Sequence, residues 1–230
     1  MKRREDELQL TILMPCLNEE ASVGSCVDEA FRFMKDHNIK GEVLVVDNGS
    51  TDNSRIEARK YGARTVLQKR RGYGAALRTG IRASRGRVII MGDCDTTYDF
   101  YDNYEMYRLL SEGKADVVIG NRFAGGFEKG AVPFSHKVGA RILSLAGRLR
   151  FHTDVADFHC GLRGLTKEAA GKMRFYTTGM EFATEMIAEA ARKNLRIRQV
   201  AVRLRRCCYV RSSKLRTIRD GFRHLIFILR

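Results

Sequence analysis

Short apolar runs alternate with helix-patterned segments along this chain, and polar residues follow the runs at once. That pattern leaves few architectures open. The runs are Leu8 to Met14, Glu42 to Val46, Ala63 to Leu67, Arg87 to Met91 and Asp116 to Ile119. Between the first two, Val23, Val27, Ala30, Phe31 and Met34 recur at helical spacing within 21–37; segments 54–61, 72–84 and 101–111 read as further helices. Strand alternating with helix predicts an α/β fold, a mostly parallel, doubly wound sheet flanked by helices. A chain of 230 residues can bury one large core of this kind, whereas two domains of ordinary size would be cramped.

In such sheets ligands bind beyond the carboxyl ends of the strands, so the residues just after each run carry the functional signal. They are Pro15-Cys16-Leu17-Asn18-Glu19, Asp47-Asn48-Gly49-Ser50-Thr51-Asp52, Asp93-Cys94-Asp95 and Gly120-Asn121-Arg122. Asp93 and Asp95 either start a turn, where Asp is favoured, or offer hard oxygen ligands suited to Mg²⁺ or Mn²⁺. Asp47 has the same two readings, an Asx-turn or a carboxylate for a base or ribose. Arg70-Arg71-Gly72-Tyr73-Gly74 places glycines at a helix start, where backbone amides can approach a phosphate or the chain can pack closely. Thr178-Gly179-Met180-Glu181 fits a capping box ahead of a helix carrying Phe182, Met186 and Ala190.

Charge is uneven. The net charge is +15, and residues 141–230 alone hold 20 Lys/Arg against 7 Asp/Glu. A C-terminal portion so basic is expected to meet an anionic partner. Within it Leu215, Ile218, Phe222, Leu225, Ile226 and Leu229 form an apolar stripe flanked by Arg216, Arg219 and Arg223. That pattern suits either a helix lying on an anionic membrane or an amphipathic helix docked on the domain. Gly125 to Leu145, with Phe127, Val132, Phe134, Val138 and Ile142, is a second membrane-facing candidate. No apolar run approaches the roughly 20 residues of a spanning helix. The six cysteines lack metal-type spacing, and reduced thiols in a cytosolic protein are expected. Nucleic-acid binding, which the charge alone would suggest, finds no recognisable module and no aromatics interleaved with the basic residues.

Taken together, PCLNEE, VVDNGSTD, RGYGAALRTG, GDCDTTYD, GNRF, DFHCGLRG, TGMEFATEM and SSKLRTIRDGFRHL resemble, in order and spacing, family-two glycosyltransferases of the GT-A fold. The resemblance is strongest to enzymes of the dolichol-phosphate mannosyltransferase type and runs from about Leu10 to Leu229. It implies a single GT-A catalytic domain over 1–212 followed by a basic amphipathic membrane-surface helix over 213–230. It also implies a donor site of Pro15, Leu17, Asn18, Glu19, Asp47 and Asp93, with Mg²⁺ or Mn²⁺ held by Asp93 and Asp95. Arg122, Arg163, Arg211, Ser213 and Lys214 are implied at the phosphates and acceptor, and Asp157 joins Asp95 and Arg122 in the catalytic group. Cys94 departs from the usual Ala, and the Arg211 to Lys214 element is shortened.

The implied reaction is an inverting, metal-dependent transfer from a UDP- or GDP-linked sugar to a polyprenyl phosphate at the inner face of the membrane. The protein is then expected to be cytoplasmic and peripheral, on an anionic surface, with self-association left open and no nucleic acid bound. A soluble or glycan acceptor is the alternative. Asp157 is expected to orient the acceptor or its cationic partners rather than to act as an obligatory base.

Overall fold

The computed structural model describes residues 7–207 and 217–229. Its strands are β1 (Leu10–Cys16), β2 (Gly41–Asp47), β3 (Arg64–Leu67), β4 (Val88–Met91), β5 (Val117–Asn121), β6 (Arg163–Thr166) and β7 (Ile197–Ala201). They form one sheet in the order β3-β2-β1-β4-β6-β5-β7. All neighbours pair in parallel except β6, which runs antiparallel to both β4 and β5. The α/β expectation holds, and the five runs read from the sequence are the first five strands.

The helices are α1 (Val23–Asp36), α2 (Ser54–Lys60), α3 (Tyr73–Ala83), α4 (Tyr104–Ser111), α5 (Arg122–Gly125), α6 (Phe134–Phe151), α7 (Lys167–Lys172), α8 (Phe182–Arg192) and α9 (Thr217–Leu229). A 3₁₀ turn, Phe100–Asn103, precedes α4. Side chains alternate across a strand, so β1 sends Ile12 and Met14 into one apolar layer and Leu13 into the other. The first layer takes Phe33 of α1 and Met106 of α4. The second takes Leu77 of α3, Ile187 of α8 and Phe227 of α9. Covered on both faces, the central strands are continuously apolar, as Val88-Ile89-Ile90-Met91 is.

The topology decides where chemistry can occur. Because β6 is antiparallel to both its neighbours, β5 points the same way as β1, β2 and β4, and the segments that follow these four strands gather at one edge. Neither β6 nor β7 is visible as a periodic run. β6 is four residues, Arg-Gly-Leu-Thr, and β7 exposes Arg198, Gln199 and Ala201.

One assignment changes with the fold. Arg163, expected at a phosphate, is 2% exposed and donates from Nε to Cys160 O (2.6 Å), from Nη1 to Ala183 O (2.5 Å) and from Nη2 to Phe158 O (2.5 Å). Its guanidinium is consumed in bracing the 158–160 turn against α8. A phosphate would have to displace three buried carbonyl partners.

Candidate active site

A cleft of about 1510 Å³ opens at the sheet edge where the four strands end. Pro15, Leu17, Glu19, Asp93, Asp95 and Arg122 line it, together with residues of α6 and α9.

On the β1 and β2 side the loops are bound to one another. Asn18, at φ 51°, accepts from Thr51 N (2.8 Å), and its own amide donates to Ser50 Oγ (3.0 Å). Glu19 N donates to Ser54 Oγ (2.8 Å) and Glu20 N to Asp52 Oδ2 (3.1 Å). Asp47 is buried and accepts from Ser50 N, three residues on (3.0 Å), which ties its carboxylate into the loop after β2. Asn48, read from the sequence only as part of the segment after β2 and given no role of its own, lines the cleft and organises the next loop. Its Nδ2 donates to Gln68 O and Arg70 O, and its Oδ1 accepts from Gly72 N (2.7 Å). An Asn at the end of a buried strand was its only sequence signal.

The GDCDTTYD turn is equally constrained. Ser22 Oγ donates to Cys94 O (2.7 Å), and Cys94 Sγ to Pro15 O (3.3 Å). Asp95 Oδ1 accepts from the amide (3.0 Å) and hydroxyl of Thr97, which orients the carboxylate at the cleft. Asp93 lies against Gly161, where an added Cβ would come within 2.7 Å of Asp93 Oδ2, so only glycine admits this approach. Burial and the Asp93 carboxylate push the Tyr73 hydroxyl well above its ordinary pKa. Asp99 starts the 3₁₀ turn through Tyr101 N (2.8 Å) and pairs with Arg205.

Two carboxylates on one rigid turn fit Mg²⁺ or Mn²⁺, which keep their remaining positions for water and phosphate oxygens. Among the described residues no cluster of three or more His, Cys, Asp or Glu side chains suits a metal.

Arg122 begins α5, whose N-cap Asn121 accepts from the amides of Phe123 (3.1 Å) and Ala124 (3.2 Å). Asp157, fully buried, grips Arg122 bidentately, with Nε to Oδ2 at 2.7 Å and Nη2 to Oδ1 at 2.8 Å. Burial would raise the Asp157 pKa, but the bonds from Arg122 outweigh it and hold the carboxyl below its ordinary value. An acid so placed is a poor proton acceptor and an effective clamp for the arginine.

Against α9, His159 meets His224 of that helix and Glu181 meets its Arg223. The His159 and His224 rings meet edge to face at 4.5 Å, and His224 Nδ1 lies 2.7 Å from Thr184 Oγ1. Burial keeps both neutral: His159 falls well below its ordinary pKa, and His224 drops to about 4. The capping box read at 178–181 is not formed. Glu181 Oε1 instead accepts from Gly179 N (3.1 Å) and Arg223 Nη2 (2.6 Å). His159 Nε2 and Glu181 Oε2 are buried without a hydrogen-bond partner among the described residues. Arg211, Ser213 and Lys214 lie outside the described residues.

The family model for glycosyl transferase family 2 matches residues 11–174, which span the donor-side loops, the Asp93/Asp95 turn and the Arg122–Asp157 pair. The chain belongs to this family. Among relatives of this family 2 chain is the low-salt glycan biosynthesis hexosyltransferase Agl6 of Haloferax volcanii, 34% identical over 223 residues. The match covers 96% of this chain and 53% of that protein, so the chain spans about half the length of Agl6. A dolichyl-phosphate hexose transferase of the same organism is 28% identical over 193 residues, covering 84% of this chain and 81% of that protein. The crystal structure of glucosyl-3-phosphoglycerate synthase from Mycobacterium tuberculosis, in complex with Mn²⁺, uridine diphosphate and glucosyl-3-phosphoglycerate, superposes with a TM-score of 0.76. It is 24% identical and covers 96% of this chain and 78% of that one. The GT-A fold implied by the motifs is therefore the fold of this chain.

Proposed function

We propose that this chain transfers a sugar from a nucleotide diphosphate sugar to a polyprenyl phosphate at a membrane surface. The observation that carries the reading is the composition of the cleft. A paired carboxylate turn and a clamped arginine lie at its depth, and two helices with outward apolar rows stand at its mouth. On α6, Phe134 is 80% exposed, Ile142 63% and Leu149 69%; on α9, Phe222 is 63% and Leu229 74%. Such rows cost solvation free energy unless covered, and Lys137, Arg141 and Arg219 beside them suit an anionic bilayer. Among the described residues no helix is long and apolar enough to cross a membrane. The dolichyl-phosphate relative supports the same acceptor class.

In this reading the Asn18, Glu19 and Asp47 loops receive the nucleotide, and Asp93 and Asp95 hold a divalent ion. Bound there, that ion supplies Lewis-acid stabilisation to the departing diphosphate. Arg122 adds fixed positive charge where phosphate charge develops, and Asp157 keeps its guanidinium from rotating away. An acceptor phosphate is already anionic at neutral pH, so direct, inverting attack at the anomeric carbon requires no protein base. Arg211, Ser213 and Lys214 are assigned to the phosphates on the motif resemblance. The inner membrane face, the base of the donor and the sugar rest on the same resemblance.

The deciding assay incubates labelled UDP- and GDP-sugars with Mg²⁺ or Mn²⁺ and undecaprenyl or dolichyl phosphate, then extracts lipid-linked product. Label entering the organic phase only with the polyprenyl phosphate supports the proposal. Transfer confined to water-soluble acceptors would replace it with the alternative reading.

A further inference from the structure

Cys16, Cys26 and Cys94 carry free, buried thiols into the first apolar layer, and the proposed transfer uses none of them. Cys16 and Cys94 also line the cleft; Cys26, on α1, is not among its lining residues. A small oxidant in the cleft therefore meets this pair first. Cys160 lines the cleft too, but its sulfur points to the Tyr98 hydroxyl (3.8 Å).

The sheet sets how the pair is arranged. β1 and β4 run parallel in register from Leu10 opposite Val88 to Leu13 opposite Met91, and Gly92 N extends the ladder by donating to Leu13 O (3.1 Å). Continued for three residues, that register sets Cys16 beside Cys94. The chain keeps to it: Cys94 Sγ donates to Pro15 O (3.3 Å), and the Cys16 sulfur is also a hydrogen-bond neighbour of the Cys94 thiol. Orientation agrees as well. Ile12 and Met14 of β1 and Val88 and Ile90 of β4 face the first layer, and Cys16 and Cys94 follow them at even spacing into that layer. Adjacent strands lie about 4.8 Å apart, inside the window of about 4.4 to 6.8 Å between Cα atoms that a disulfide spans.

We propose that Cys16 and Cys94 are a modification site at which a hydroperoxide forms a reversible disulfide, binding the Asp93/Asp95 turn to the end of β1. The peroxide passes its terminal oxygen to one thiol, giving a sulfenic acid and releasing water or an alcohol. The second thiol then attacks that sulfur, the S–O bond breaks, and water leaves. Two thiols lose two electrons in all, and the peroxide O–O bond takes them. The new S–S bond, about 2.05 Å long, draws Cys94 Sγ from Pro15 O and moves the turn on which both carboxylates sit. Ion binding there falls until a thiol reductant reopens the bond. The disulfide stands on the strand register; its effect on the ion rests on the role given above to Asp93 and Asp95.

The test treats the parent chain, Cys16→Ala, Cys94→Ala and Cys26→Ala with hydrogen peroxide and blocks the remaining thiols. Non-reducing peptide mapping locates any link, Mn²⁺ binding is followed by EPR of the free ion, and melting temperature shows that each variant is folded. The parent and Cys26→Ala should give a peptide joining Cys16 to Cys94 and bind Mn²⁺ at least about tenfold more weakly, with binding restored by dithiothreitol. In Cys16→Ala and Cys94→Ala, Mn²⁺ binding should no longer respond to peroxide. A link from either residue to Cys26, or oxidation without a link, overturns the pairing. A linked parent chain that binds Mn²⁺ as the reduced one does overturns the switch. A reduced parent chain that binds no Mn²⁺, or binds it no better than Asp95→Ala, overturns the ion site instead and leaves the mapped link standing.

Discussion

The donor side of the cleft and its outer wall are built on opposite plans. Around β1, β2 and β4, loop is tied to loop: Asn18 to Thr51, Glu19 to Ser54, Ser22 to Cys94. The outer wall of α6 and α9 leaves large apolar side chains in solvent, while Arg223 bonds to Glu181 and His224 to Thr184 on its inner side. A site that stabilises a leaving diphosphate gains from groups that need no rearrangement. A surface that takes up lipid gains from apolar area that only the partner covers. The rigid half suits chemistry and the unfinished half suits a partner.

Substitutions can break that contrast, and the largest effect belongs to the rigid half. Asp95→Asn keeps an acceptor for Thr97 but removes the charge proposed to hold the divalent ion, so turnover should fall by about a thousandfold or more with the fold intact. Retained, metal-independent turnover in steady-state kinetics would remove Asp95 from the ion site. Next is Asp157→Asn, which frees Arg122 and leaves its charge incompletely paired. We expect a loss of about 3 kcal/mol in denaturant unfolding and roughly a hundredfold in kcat. The pH–rate profile should keep its shape; loss of a basic limb would instead make Asp157 a proton acceptor.

The contact between the halves should respond to acid. His224 has a folded pKa of about 4, below its ordinary 6.5, so the unfolded chain binds more protons in that interval. Stability is full above about pH 6.5 and declines as pH falls toward 4, by roughly 2 kcal/mol between pH 7 and 5. His224→Gln should flatten that part of a melting-temperature profile, while an unchanged slope would assign the loss elsewhere. The smallest effect separates the halves most cleanly. Leu149→Glu with Phe222→Glu should lower binding to anionic vesicles about tenfold in flotation, with melting shifted little because both side chains are exposed. Equal flotation of the double variant would detach these rows from the membrane.

How much of this could be read in advance varies from residue to residue. Asp93, Asp95 and Arg122 were legible because each follows an apolar strand, and a parallel sheet has one edge where such residues meet. Arg163 was not. A fully buried arginine and a phosphate-binding one look alike in sequence, and the carbonyls that consume its guanidinium come from positions 158, 160 and 183. Glu181 misled in the same way: its spacing matched a local cap, but its partner Arg223 lies 42 residues on.

The stripe on α9 shows where the boundary falls. Periodicity established an amphipathic helix, and the helix is docked on the domain by one face, which leaves its other face for the membrane contact proposed above. His224, Phe227 and Ile228 turn inward onto the domain, while Phe222, Ile226 and Leu229 turn out. By itself, then, the sequence determined the first five strands and the helices between them, the polar strand ends and the basic, apolar-striped C-terminal part, because these depend on short-range periodicity. The antiparallel β6, the Arg122–Asp157 clamp, the buried Arg163 and the neighbouring Cys16 and Cys94 thiols were decided only in three dimensions. Each depends on which distant segments occupy the space beside a side chain, and no local pattern carries that information.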